Sequence, residues 1–66
     1  MAQAKVEGRF VRESEAAVLI KQDEGEFWLP KSQISYQRRD ADDSYECRIP
    51  AWLAAKKDGL DYEEVD

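Results

Sequence analysis

Ala16-Ala17-Val18-Leu19-Ile20-Lys21-Gln22-Asp23-Glu24-Gly25-Glu26-Phe27-Trp28-Leu29-Pro30 is the stretch from which the architecture can be read. Residues 16–21 form an apolar run rich in β-branched side chains. The run is too short for an isolated helix and is bounded by turn-forming residues, which predicts a central strand. Asp23 to Glu26 supplies a turn, with Gly25 the natural residue for a positive φ in a hairpin loop. Glu26 to Leu29 returns as the partner strand. Pro30 has no N–H to give a ladder, so that strand ends there or lies at an edge.

Working outward, Val6, Gly8 and Phe10 alternate with polar residues, which predicts a half-buried strand from about Lys5 to Arg12. On the other side, Lys31-Ser32-Gln33 suits a tight turn or one turn of 3₁₀ helix. Ile34 to Arg38 and Tyr45 to Ile49 alternate again and predict a second hairpin around the acidic segment Asp40 to Ser44. In that hairpin Ile34 and Tyr36 are expected on the same face as Tyr45, Cys47 and Ile49, leaving Arg38, Arg39, Glu46 and Arg48 to solvent or to the hairpin end. Pro50 favours a helix start, Ala51 to Lys57 has high helix propensity, and Asp58-Gly59 is a stop. So short a helix has to pack on the sheet, through Trp52, Leu53 and Ala55.

The expected fold is therefore mainly β: a small five-stranded antiparallel sheet or an SH3-like partial barrel with a short C-terminal helix over 51–58. An OB-fold is the second choice, because its helix usually falls where only Pro30 to Gln33 stand here. Residues 1–4 read as a flexible N-terminus, 5–60 as one β domain and 61–66 as an acidic tail. At 66 residues there is room for one domain with a thin stability margin. The single cysteine cannot form an intrachain bridge, and there is no histidine to help hold a metal. No apolar run reaches the roughly 20 residues that span a bilayer, and the N-terminal residues lack the apolar stretch of a signal peptide, so the expected location is cytoplasmic.

The net charge of −5 is unevenly placed. Residues 1–39 carry seven basic and six acidic side chains, +1, whereas residues 40–66 carry three basic and nine acidic, −6. The negative excess lies in Asp40-Ala41-Asp42-Asp43 and in the tail from Asp58. Such runs are ordinarily solvated, but they also suit docking on a basic partner or imitation of a phosphate backbone.

Catalysis is disfavoured by the residues present. Histidine, the usual general acid-base near neutrality, is missing, and Cys47 has no base to activate it and reads as a small buried apolar residue. Nothing desolvates the carboxylates of the acidic loop, and no glycine-rich phosphate loop occurs. The loop from Asp40 lacks both the glycine and the terminal glutamate of a calcium-binding loop. No enzyme activity, metal or cofactor is expected.

Seven aromatics, Phe10, Phe27, Trp28, Tyr36, Tyr45, Trp52 and Tyr62, are a high density for so short a chain. Phe27 and Trp28 are adjacent and must face opposite sides of a sheet. Either the terminal helix covers Trp28 with Trp52 or Leu53, or Trp28 is exposed near Lys31, Arg38 and Arg39. The second arrangement has the composition of a stacking platform or a hot spot. Two candidate surfaces result. A protein-binding one comprises Asp40, Asp42, Asp43 and Glu46 with Trp28 and Tyr36; a single-stranded nucleic-acid-binding one comprises Trp28, Lys31, Tyr36, Arg38 and Arg39, against which the net charge counts. A homo-oligomer formed along an exposed strand edge is a further possibility.

Glu26-Phe27-Trp28-Leu29-Pro30-Lys31-Ser32-Gln33-Ile34 together with Ile49-Pro50-Ala51-Trp52-Leu53-Ala54 resembles small single-β-domain proteins of bacteriophages and other mobile elements, with their Trp-Leu/Ile-Pro-Lys-Ser-Gln core and terminal Pro-x-Trp-Leu helix. The resemblance spans about residues 5–60 and implies no catalytic role. It implies an accessory protein that acts by binding, and by analogy of class an inhibitor of host defence of the anti-CRISPR kind.

Overall fold

The computed structural model describes residues 2–65. Six strands form one antiparallel sheet: β1 (Gln3–Glu13), β2 (Ala17–Gln22), β3 (Gly25–Pro30), β4 (Tyr36–Arg39), β5 (Ser44–Pro50) and β6 (Glu63–Val65). A 3₁₀ turn, Lys31–Gln33, joins β3 to β4, and a single helix, α1 (Ala51–Lys56), follows β5. The main path runs β3-β2-β1-β5-β4, so β3 and β4 are its two edges and the sheet is open rather than closed into a barrel. The long central β1 is shared on one side, where Arg9 to Glu13 pair with β2 and Gln3 to Lys5 pair with β6. Its other side pairs with β5 from Gln3 to Arg9.

One face of this sheet carries the core. Ala4 and Val6 of β1, Val18 and Ile20 of β2, Leu29 of β3 and Tyr45, Cys47 and Ile49 of β5 are buried together, as their cross-strand pairing requires. Helix α1 packs over β1 and β5 and adds Ala54, with Leu53 at the margin. The helix ends at Lys56, two residues short of the expected 58. Lys57 is extended, and a turn through Gly59, at φ +87°, closes with the Leu60 N–H on the Lys57 carbonyl (3.1 Å). That turn sends Leu60 back into the core.

Three sequence expectations are corrected at this level. There are six strands, not five, because Glu63–Val65 of the expected tail pairs with the start of β1. That start lies within what was expected to be a flexible N-terminus: the strand begins at Gln3, and Ala4 is wholly buried between β5 and β6. Met1 and Asp66 of these two segments lie outside the described residues. The third correction is the register of β4. Tyr36 pairs with Arg48 and Gln37 with Cys47, so Tyr36 points away from the core and Gln37 and Arg39 take the core side.

Candidate functional site

The β4–β5 turn explains that register and shapes the first candidate site. The Asp43 N–H donates to the Asp40 carbonyl (3.0 Å), the Asp40 N–H donates to the Ser44 carbonyl (2.9 Å), and Asp43 sits at φ 67°. This is a three-residue hairpin loop, a type I turn followed by a left-handed residue, and aspartate tolerates that conformation better than most side chains. The turn then sets Asp40 opposite Ser44 and carries the pairing down the strands.

Within this turn the two candidate sites meet and neutralise each other. Arg38 Nε lies 3.1 Å from Asp40 Oδ1, and Arg39 Nη2 lies 2.8 Å from Asp43 Oδ1. Asp42 has no ion pair among the described residues. Its carboxylate accepts the Ser44 N–H (3.1 Å), and this holds its pKa below the ordinary value. Arg39 is further occupied by the Phe10 ring, 3.8 Å beneath its guanidinium, and Lys31 pairs with Glu13 at 3.0 Å. The acidic cluster is therefore largely self-neutralised, and each cation of the nucleic-acid set already has a partner.

Trp28 and Tyr36 share a face, as both candidate sites assume, but stand at its opposite edges on β3 and β4. The helix does not cover Trp28: Leu53 turns to the core on the other side of the sheet, and Trp52 is itself 49 % exposed, with Lys56 Nζ 5.4 Å from its ring centroid. Trp28 is 41 % exposed and lies opposite Leu19, which is buried at 6 % on the solvent side of the sheet and is not part of the main core. The Arg12 guanidinium is 5.7 Å from the Trp28 ring centroid, and Arg48 stands at the same distance from the ring of Tyr36, which is 45 % exposed.

The register places further cations on this solvent face that were not among the sequence candidates. Arg9 lies directly opposite Lys21, and Lys5 directly opposite Arg48. Arg9, Arg12 and Lys21 are exposed and make no ion pair among the described residues. Alternation with Val6, Gly8, Phe10 and Ile20 marks Arg9 and Lys21 as outward-facing in the sequence, whereas Arg12 has the parity of Phe10 and reaches this face only through the bulge between Phe10 and Arg12. That β1 lies beside β2 is a matter of topology, and alternation does not report it.

A different acidic site appears where the sequence did not suggest one. The β2–β3 turn and the segment after α1 converge on β1, forming a shallow cleft of about 650 Å³ lined by Glu7, Gly8, Lys21, Asp23, Glu24 and Asp61 among others. Gln22 pins it: its Nε2 donates to the carbonyls of Glu7 (2.7 Å) and Asp61 (2.9 Å), and its Oε1 accepts the Asp61 N–H (2.8 Å). Cys47 is wholly buried, and burial pushes its thiol up to about 12, so no thiolate is available near neutrality. Among the described residues no three acidic or cysteine side chains gather as a metal site would need. No helix is long and apolar enough to cross a membrane. Comparison with known proteins adds no relative: no family model, curated protein or solved structure matches the chain.

Proposed function

We propose that this chain is a non-enzymatic binding protein that meets its partner with the solvent face of its sheet, anchored on Trp28 and Tyr36. The observation that carries this reading is the pair of half-exposed rings on one face, each with an arginine beside it, while the core is closed on the other face. Large aromatics and arginine are the residues on which binding energy concentrates. A protein that works by occupying a surface also suits the accessory class its sequence resembles, an inhibitor of a host nucleic-acid-handling system among them. The test is affinity capture from bacterial lysate with three baits. The wild type is expected to retain a partner that the Trp28→Ala/Tyr36→Ala variant loses and the Asp40→Asn/Asp42→Asn/Asp43→Asn variant keeps. Equal capture by the first two baits overturns the reading.

A second reading, docking on a basic protein through an acidic surface, is favoured by the convergence of Asp23 and Glu24 with Asp61 and Glu7 around one cleft. None of the four has an ion-pair partner among the described residues. Here the surface is the cleft rim rather than the 40–46 hairpin end. Capture that falls with added salt and is lost in Asp23→Asn/Glu24→Gln/Asp61→Asn supports it, and capture indifferent to those changes removes it.

A further inference from the structure

We infer that the partner of the solvent face is single-stranded nucleic acid, an inference that rests on the sheet-face reading above. The first support is the charge of that face. Across the six strands it presents Lys5, Arg9, Arg12, Lys21, Arg48 and the Asp40-paired Arg38 against Glu7, Glu26, Glu46 and Glu63, the last lying opposite Lys5. The strand residues of this face therefore carry +2 in a chain of net charge −5, which leaves −7 for the rest of the molecule. The global charge, which counts against a nucleic-acid partner, is a property of the other surfaces.

Like charges directly opposite one another destabilise a sheet; Glu7 faces Glu46, and the like-charge pairs on either side of that row are cationic, Arg9 facing Lys21 and Lys5 facing Arg48. Neither Arg9 nor Lys21 forms an ion pair among the described residues, although Glu26 lies directly opposite Lys21 and the charge of Arg9 is felt at Asp42. A phosphate backbone running across the strands would neutralise the cationic pairs. The rings supply the other half of the recognition. Trp28 lies opposite the buried Leu19 and is half-exposed, with the Arg12 guanidinium over its ring, and Tyr36 stands at the far edge. Four interstrand spacings of about 4.8 Å separate these edges by roughly 19 Å, and Trp28 lies level with Arg12 of β1 while Tyr36 lies level with Lys5, so about 20 Å more along the strands puts the rings roughly 28 Å apart on a diagonal. That span suits a strand of a few nucleotides with a base on a ring at each end, within the range of roughly 4–16 nucleotides for sheet-based single-strand sites. Stacking on π-faces with cations between requires unpaired bases, which a duplex does not offer and an acidic peptide lacks.

The experiment titrates the full chain, carrying Trp52→Phe so that Trp28 is the sole indole, into fluorescein-labelled DNA and RNA oligonucleotides of about 15 residues, near the upper end of that range. It is run at about 0.01 M salt, where charges act over about 30 Å. The expected result is a rise in anisotropy with quenching of Trp28. Arg9→Gln/Lys21→Gln should weaken binding and lower the slope of log affinity against log salt by about 1.4, for two lost phosphate contacts on a single strand. Trp28→Ala should cost roughly 5- to 150-fold for one lost stacked base. If that variant does not fold because Leu19 is uncovered, Tyr36→Ala on the exposed edge strand carries the same expectation. Absence of binding to both oligonucleotides overturns the inference, as does equal affinity for polyglutamate or an unchanged salt slope in the double variant. If oligonucleotides fail while lysate capture still depends on Trp28 and Tyr36, the partner class is wrong and the sheet-face reading stands. If that dependence is absent as well, both fall.

Discussion

Gly8 sits where β1 passes the end of β2, and a Cβ there would lie 2.8 Å from the Lys21 carbonyl oxygen, a backbone atom that cannot swing aside. Gly8→Ala should therefore force the two strands apart and destabilise the fold by about 1–3 kcal/mol, the usual cost of overpacking. Thermal denaturation checks this, and a melting temperature within a degree of the wild type would contradict the close approach. Two core residues make a separate prediction about pH. Burial pushes Cys47 from its ordinary 9.0 to about 12 and Tyr45 from 10.0 to about 12. Each stays protonated in the folded chain over a range where the unfolded chain has released its proton. Stability from these groups is thus full below about pH 9 and is lost progressively as pH rises toward 12, by at most about 1.4 kcal/mol per pH unit for each group. Urea midpoints should fall from about pH 9 in the wild type, but only from about pH 10 in Cys47→Ala, where Tyr45 alone remains. Identical alkaline profiles for the two proteins would remove Cys47 from the account.

Gln22 acts for a whole element. β6 has only three residues, two of them exposed glutamates, and so short a strand cannot hold its place on the edge of β1 by pairing alone. The three hydrogen bonds of the Gln22 amide to Glu7 and Asp61, with the burial of Leu60, secure the chain just before it. Gln22→Ala should accelerate amide exchange at residues 63–65 and 3–5 while leaving β2 and β3 protected, and should cost about 1–3 kcal/mol. Exchange unchanged at both segments would show that the strap holds without the clamp. Elements of this kind were not legible in the sequence, since Glu63-Glu64-Val65 has neither alternation nor propensity to mark a strand. The β2–β3 hairpin was legible because Val18, Ile20, Phe27 and Leu29 alternate around a glycine turn. β4 was only half legible. It contains one apolar residue, so Tyr36 was read as core, whereas the three-residue loop with Asp43 left-handed fixes Asp40 opposite Ser44 and turns Tyr36 outward. Gln37 takes the inward position and accepts the Tyr45 hydroxyl at 2.9 Å. The candidate residues are partly legible in the same way: Trp28 and Tyr36 share the solvent face, but which cations lie with them depends on strand order, and acids remote in sequence, such as Asp23 and Asp61, converge only through the fold.

At the scale of the molecule, folding groups like charges. The solvent face of the sheet carries more cations than carboxylates, while the β2–β3 turn and the segment after α1 gather carboxylates around one cleft that meets this face at Glu7 and Lys21. Both groupings put like charges near each other, and salt screens the repulsion within each. Raising NaCl from about 0.01 M to about 1 M shrinks the screening length from about 30 Å to about 3 Å. Repulsion within each group then fades, and the folded chain should gain stability, by the several degrees in melting temperature that roughly 1 kcal/mol represents in a chain of this size. The three exposed ion pairs, Lys31–Glu13, Arg38–Asp40 and Arg39–Asp43, weaken at the same time, but exposed pairs contribute only about 0–1 kcal/mol each. The balance is decided by Asp23→Asn/Glu24→Gln/Asp61→Asn. This variant should melt higher than the wild type at low salt and respond less to added salt. Salt should weaken any nucleic-acid binding by the solvent face over the same range in which it strengthens the fold, so loss of such binding at high salt would not reflect unfolding. A wild-type melting temperature that falls with salt, together with a triple variant no more stable at low salt, would mean that carboxylate crowding is not a controlling term in this fold.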